Sequence, residues 1–185
     1  MFVLSDENYQ NYVDLVLNAF LFPGVENHFV IDKLSIKRFN DYTQMYIFHR
    51  TQPNVRLKID LINDVAIHFG GFQTNKKLGK VDSWRNILSN KICALFRFEP
   101  KDIADIWILS KNNNFLWKEI LIEAKQKELG VEPDVICNIL KSFPIEQLKI
   151  IKWVSIPDYR FIKNDISVIA DEILLGSENS LMQSK

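Results

Sequence analysis

Apolar residues recur at helical spacing near the start of the chain, alternate as in strands from Asn27 to about Phe69, and return to helical spacing from Trp84 onward. Met1-Phe2-Val3-Leu4 reads as a short strand. Ser5 and Asp6 then look like the cap of a helix with Tyr9, Tyr12, Val13, Val16, Leu17 and Phe20 on one face. Strands are predicted at 29–31, 34–36, 44–49 and 55–62, with turns at Asn40-Asp41 and Gln52-Pro53-Asn54. Such short connections suit an antiparallel meander. In the last strand Leu57, Ile59 and Leu61 point one way and Arg56, Lys58 and Asp60 the other.

From Asp82 to Trp107 the pattern predicts two consecutive helices broken at Pro100. On the first, Trp84, Ile87, Leu88 and Leu95 form one apolar stripe, and Lys91 stands near its middle, where a leucine is expected. On the second, Ile103, Ala104, Trp107 and Ile108 form the inner face, while Asp102 and Asp105 share a flank. Further helices are expected from Asn113 or Asn114 to Gly130, from Pro133 through Phe143, as a short turn from Pro144 through Leu148, and from Asp165 to Gly176. The expectation is an α+β fold: a small, mostly antiparallel sheet packed against a C-terminal helical bundle. The corresponding division is 1–81, 82–176 and a disordered tail 177–185 without an apolar face.

Composition changes this picture only by exclusion. With 185 residues, 47% of them hydrophobic, the chain can bury a core, and 23 basic against 23 acidic residues give no global field for nucleic acid or membranes. Any polyanion must be met by a local patch, such as Lys76, Lys77 and Lys80 in a loop ahead of the central helices. No apolar run approaches the roughly 20 residues of a spanning helix and no leader opens the chain, so a cytoplasmic protein is expected. Cys93 and Cys137 fall on apolar helix faces and read as reduced core residues, and His28, His49 and His68 as structural residues of separate strands. Gly70-Gly71 reads as a turn or bulge, since no phosphate-loop pattern surrounds it.

Lys91 has two readings. Its stem can lie along apolar surface and carry the ammonium to water, or the ammonium is held in a cleft to meet an anion such as a phosphate. Asp102 likewise suits the first turn after Pro100, where a carboxylate favours the helix dipole, but Asp105 is past that turn. Asp60 is either a surface residue between cations or a metal ligand on the open face of the sheet. Together, Asp60, Lys91, Asp102 and Asp105 compose a set suited to phosphoryl or nucleotidyl transfer: carboxylates hold Mg²⁺ and a lysine neutralises a triphosphate.

The run Ile87-Leu88-Ser89-Asn90-Lys91-Ile92-Cys93-Ala94-Leu95, followed by Arg97 and by Lys101-Asp102-Ile103-Ala104-Asp105-Ile106, resembles the lysine and aspartate motifs of the AbiEii/AbiGii toxin family of nucleotidyltransferases. Ile59-Asp60-Leu61 is similar to an apolar-acid-apolar metal strand of the wider polymerase-beta-like superfamily. The likeness covers about residues 1–110. It implies a nucleotidyltransferase of a toxin-antitoxin or abortive-infection system, using NTP and Mg²⁺, with tRNA an acceptor for some members and a cognate antitoxin as partner. On this resemblance Lys91, Asp102 and Asp105 are the catalytic residues, Lys91, Arg97 and Lys101 face the nucleotide, and Asp60 is a metal ligand. The family's first motif, a Gly-Gly or Gly-Ser turn followed by Asp-x-Asp, does not occur in the sequence. The resemblance implies that the chain starts just after it and is inactive as a transferase in this form. The alternative is a non-catalytic module that binds a partner protein or RNA.

Overall fold

The computed structural model describes residues 2–3, 8–21, 25, 28–63, 67–77 and 79–182. The chain divides into two units, Met1–Ala66 and Ile67–Lys185. The boundary expected at residue 81 lies at 66 instead, because a small hairpin, β6 (Gln73–Asn75) with β7 (Gly79–Val81), belongs with the helices.

The first unit is a sheet covered by one helix. Its strands are β1 (Phe2–Val3), β2 (Phe29–Ile31), β3 (Lys37–Arg38), β4 (Tyr42–His49) and β5 (Gln52–Asn63), in the order β1-β5-β4-β2 with β3 also on β4. The expected antiparallel meander is present in β2, β4 and β5, whereas β1 runs parallel to β5. Helix α1 (Tyr9–Ala19) lays Tyr9 and Val13 on Met45 and Leu61, with Val16, Leu17, Ile36 and Ile59 around them. The Tyr9 hydroxyl lies 3.0 Å from both Thr43 Oγ1 and the Leu61 carbonyl, which ties the helix to both central strands. Tyr12, expected on the same face, is 45% exposed. The predicted caps Ser5 and Asp6 lie outside the described residues.

Two strand predictions change. Residues 34–36 do not form a strand: Asp32 accepts a bond from the Leu34 amide at 3.2 Å and winds Lys33–Ser35 into a 3-10 turn, leaving Leu34 exposed. A side chain that satisfies the backbone locally competes with the ladder. Gln52-Pro53-Asn54 is not the turn either, since Gln52 already pairs with His49 across Arg50-Thr51. Proline is tolerated there because the register shifts between Phe48, opposite Arg56, and His49, opposite Gln52, so Pro53 falls in the irregularity and has no ladder partner on β4. His28 and His68 are outside strands, contrary to expectation, and His28 lies 6.5 Å from the ring of His49.

The second unit packs α2 (Trp84–Ala94), α3 (Pro100–Asn112), α4 (Trp117–Lys127), α5 (Pro133–Ser142) and α6 (Tyr159–Leu175) around one core. Leu88, Ile92, Ile103, Ile106, Trp117, Ile120, Ile136, Ile162, Ile169 and Ile173 are fully buried in it. Helix α2 starts where Ser83 Oγ accepts the Asn86 amide at 3.0 Å. Gly70, at φ +79°, passes so close that a Cβ there would sit 2.7 Å from this oxygen. Two starts differ from expectation. Asn113 ends α3 rather than capping α4, and α6 begins at Tyr159, well before Asp165, capped by Asp158 on the Arg160 amide at 2.9 Å. Free for another role inside α6, Asp165 accepts the Trp107 indole at 2.8 Å.

The expectation of a disordered tail fails over 177–182. Glu178 bridges to Leu116, the Ser177 carbonyl accepts the Trp117 amide at 2.9 Å, and Asn179 is buried at 3% exposure. Its side-chain amide donates to Ser110 O at 2.8 Å and Asn113 O at 2.7 Å, closing the C-terminal end of α3. The anchor is polar, so a search for apolar faces misses it. Asn179→Ala is expected to cost about 2 kcal/mol, the cost of orphaning buried carbonyls. Urea unfolding followed by far-UV circular dichroism checks this, and an unshifted midpoint would show the tail to be energetically idle.

Candidate functional site

Pro100 at the first position of α3 presets the backbone, and Asp102 enters the first turn with no exposed surface at all. A buried carboxylate needs partners, and two are present: Lys91 Nζ donates to Asp102 Oδ1 at 2.9 Å and Arg97 Nη2 to Asp102 Oδ2 at 2.9 Å. Arg97 reaches it because α2 tightens into a 3-10 turn, Leu95–Arg97, and Phe98 then takes a left-handed conformation at φ 57°. One turn along α3, Asp105 Oδ2 lies 2.6 Å from the same Lys91 Nζ.

Lys91 therefore neither snorkels freely nor faces an empty cleft: it bridges two aspartates. Burial works against its ammonium, and the bonds to Asp105 and Asp102 outweigh burial, so its pKa stands above the ordinary 10.5. The ammonium stays charged. Arg97 exposes 60% of its side chain and Asp105 43%, so both keep a face toward water while Asp102 serves as the inner anchor. Lys101 is exposed in the first turn of α3.

Asp60 belongs to the other unit. On β5 it faces Gln44 of β4, receives the Tyr42 hydroxyl at 2.8 Å and pairs with Lys58 at 2.9 Å. Burial and then this carboxylate hold the Tyr42 phenol above its usual range, and the bond to Asp60 raises Lys58. The predicted set is thus assembled in part: Lys91, Arg97, Asp102 and Asp105 meet, and Asp60 has its own local partners.

A divalent cation does not fit these residues as arranged. Both Asp102 oxygens are taken by cations, Asp105 is taken by Lys91, and Asp60 by Lys58 and Tyr42. Among the described residues no cluster of three or more His, Cys, Asp or Glu side chains could hold a metal ion. Mg²⁺ needs several oxygen ligands in near-octahedral array, and a carboxylate already neutralised by lysine or arginine is a poor donor.

A second polar cluster on α2 went unpredicted. Asn86, Ser89 and Asn90, three and four residues apart, offer oxygens to Lys127 Nζ of α4 at 2.6, 2.7 and 2.7 Å. Asn86 also donates to Asp82 at 2.5 Å and meets His68 Nδ1 at 3.0 Å. The signal available was an Asn-x-x-Ser-Asn stripe along one side of α2, but its partner is distant in sequence. Nearby, Cys93 donates its thiol to the Ala124 carbonyl at 3.3 Å, and burial raises its pKa, which suits a packed thiol. Cys137 is buried and unpaired. Among the described residues no helix is long and apolar enough to cross a membrane.

Two solved structures from Helicobacter pylori resemble this fold. One is JHP933, 19% identical, matching 89% of this chain and 71% of its own, with a TM-score of 0.53. The other is a candidate nucleotidyltransferase, 18% identical, matching 89% of this chain and 73% of its own, also at 0.53. No family model and no curated protein matches the sequence. At this identity the likeness is one of fold alone, an α+β fold shared with a protein described as a candidate nucleotidyltransferase.

Proposed function

We propose that this chain is a nucleotidyltransferase-type protein that binds a nucleoside triphosphate through the cations at the α2–α3 junction. The observation that carries this is the fully buried Asp102, which holds Lys91 and Arg97 side by side on its two oxygens. A carboxylate so placed orients two permanently charged donors, as a chain of phosphates requires, and Lys101, one residue before it in the chain, is exposed. Lys91 and Arg97 are the phosphate-facing donors, Asp102 positions them, and Asp105 is the exchangeable partner that Lys91 releases when an anion arrives. The finer reading is a member of the toxin-antitoxin or abortive-infection class, held by a cognate antitoxin in the cytoplasm, that keeps the nucleotide-binding cations but, with its carboxylates already paired, does not carry out the Mg²⁺-dependent transfer to tRNA. It rests on the AbiEii/AbiGii resemblance at Lys91 and Asp102 to Asp105.

A specific observation favours the second reading, a non-catalytic interaction module. The four charges of the junction neutralise one another, with both oxygens of Asp102 and the Asp105 carboxylate held by lysine and arginine. The two readings part in one experiment: titrate a fluorescent NTP with and without Mg²⁺, then incubate labelled NTPs with total tRNA. The expected result is saturable binding that Lys91→Gln weakens by about tenfold, roughly 1.4 kcal/mol, without transfer of label to tRNA. Binding that Lys91→Gln leaves unchanged removes the junction from the nucleotide site. Labelled tRNA would overturn the conclusion that these residues hold no metal.

A further inference from the structure

From the end of the 3-10 turn Ile145–Ile150 to the first turn of α6 the chain turns large apolar side chains outward. Ile150 is 74% exposed, Val154 105%, Ile156 80% and Phe161 65%. Such a run is not loose chain: Trp153 donates its indole to Leu148 O at 3.0 Å and stacks edge-on to Trp107, and Asp165 ties α6 to Trp107 and Lys111. Beside it lies a hollow of about 440 Å³ lined by Trp107, Lys111, Pro157, Asp158, Phe161 and Asp165. A soluble surface rarely concentrates apolar groups this way without a partner.

The charges around these groups say which partner. Lys149, Lys152, Arg160 and Lys163 are all exposed along the same stretch. Its acids do not cancel them: Asp158 pairs with Arg160 at 2.8 Å but leaves that side chain 90% exposed, Asp165 pairs with Lys111 and Trp107, and Glu146 stands exposed ahead of Lys149, so four exposed cations meet two exposed acids. The surface is therefore apolar with a basic rim. Three of its four outward groups are aliphatic and have no ring on which a base could stack, which disfavours single-stranded RNA. Two copies of the same basic rim would repel one another. We propose that the stretch 150–163 is a docking surface for an acidic, amphipathic helix of a partner protein, with apolar anchors on Ile150, Val154, Ile156 and Phe161 and carboxylates facing the lysines and Arg160. The surface is independent of the nucleotide reading.

The probe is a labelled synthetic amphipathic helix of leucine and glutamate, followed by fluorescence anisotropy with the full chain. Comparators are the same helix with lysine for glutamate, a scrambled leucine-glutamate peptide and a labelled single-stranded RNA. Saturable binding of the acidic amphipathic helix is expected, weakened by about tenfold or more in Val154→Asp and Ile156→Asp, as for central anchors of an interface. Because both side chains are exposed, the variants keep the wild-type circular dichroism and melting temperature. Charge reversal, Lys152→Glu with Arg160→Glu, is expected to switch preference to the basic helix. Failure of the acidic helix to bind, equal binding of the scrambled peptide, or an unswitched preference overturns the proposal. Preferential RNA binding abolished by the charge reversal would give the surface to nucleic acid, and a dimer that Ile156→Asp dissolves would give it to a second copy.

Discussion

Trp117→Ala is expected to remove about 4 kcal/mol from the unfolding free energy of the 67–185 unit, the middle of the range for truncating a large buried aromatic. Trp117 is fully buried, its ring meets Phe115 edge-on at 4.8 Å, and its indole donates to Glu172 Oε2 at 3.0 Å. Truncation leaves both a cavity and a stranded carboxylate, since Glu172 is itself only 9% exposed and its other oxygen accepts the Ser180 amide at 3.1 Å. Trp117→Phe separates the two costs. It keeps most of the volume and loses only the donor, so about 1–3 kcal/mol is expected. Urea unfolding followed by far-UV circular dichroism measures both. Equal losses in the two variants would mean that the hydrogen bond, not the ring, holds α4 to α6.

Asp102→Ala is expected to cost about 3 kcal/mol, the lower end for breaking a buried ion pair. The lower end applies because Lys91 keeps Asp105 at 2.6 Å and Arg97 can turn to water. Removing both charges tests the mechanism more sharply. Lys91→Met with Asp102→Leu should recover most of the loss, since neither charge then remains buried alone. A double variant as unstable as Asp102→Ala would show that the junction needs its charges to fold.

The same pair predicts a pH dependence. The folded pKa of Lys91 lies above its ordinary 10.5, so protonation is tighter in the folded state. Its contribution is fully present below about pH 10.5 and is lost as pH rises through the higher folded value. Lys91→Met should therefore flatten the alkaline end of the stability curve.

The site shows where sequence reasoning is strong. Lys91 stood out because a cation interrupts an apolar stripe, and Asp102 and Asp105 because three-residue spacing on a helix puts both on one flank. These are local periodicities, and the structure joins all three residues. Asp60 illustrates the opposite case. Strand alternation told its face, but whether that face meets other acids or its own neighbours depends on cross-strand register, which sets Asp60 opposite Gln44 and beside Lys58 and Tyr42.

The α+β class and the succession of sheet then helices were legible from apolar spacing, because the periods of strand and helix differ and burial enforces each. The helix starts at Pro100 and Pro133 were legible too, from prolines that suit a first turn. Tertiary structure alone decided the parallel edge strand, the Lys127 anchor on three α2 side chains, and the packed tail through Asn179. Each is a polar contact between residues far apart in the chain. Hydrogen bonding at such a distance leaves no period in the sequence, since one asparagine or lysine suffices and its neighbours are free to be anything.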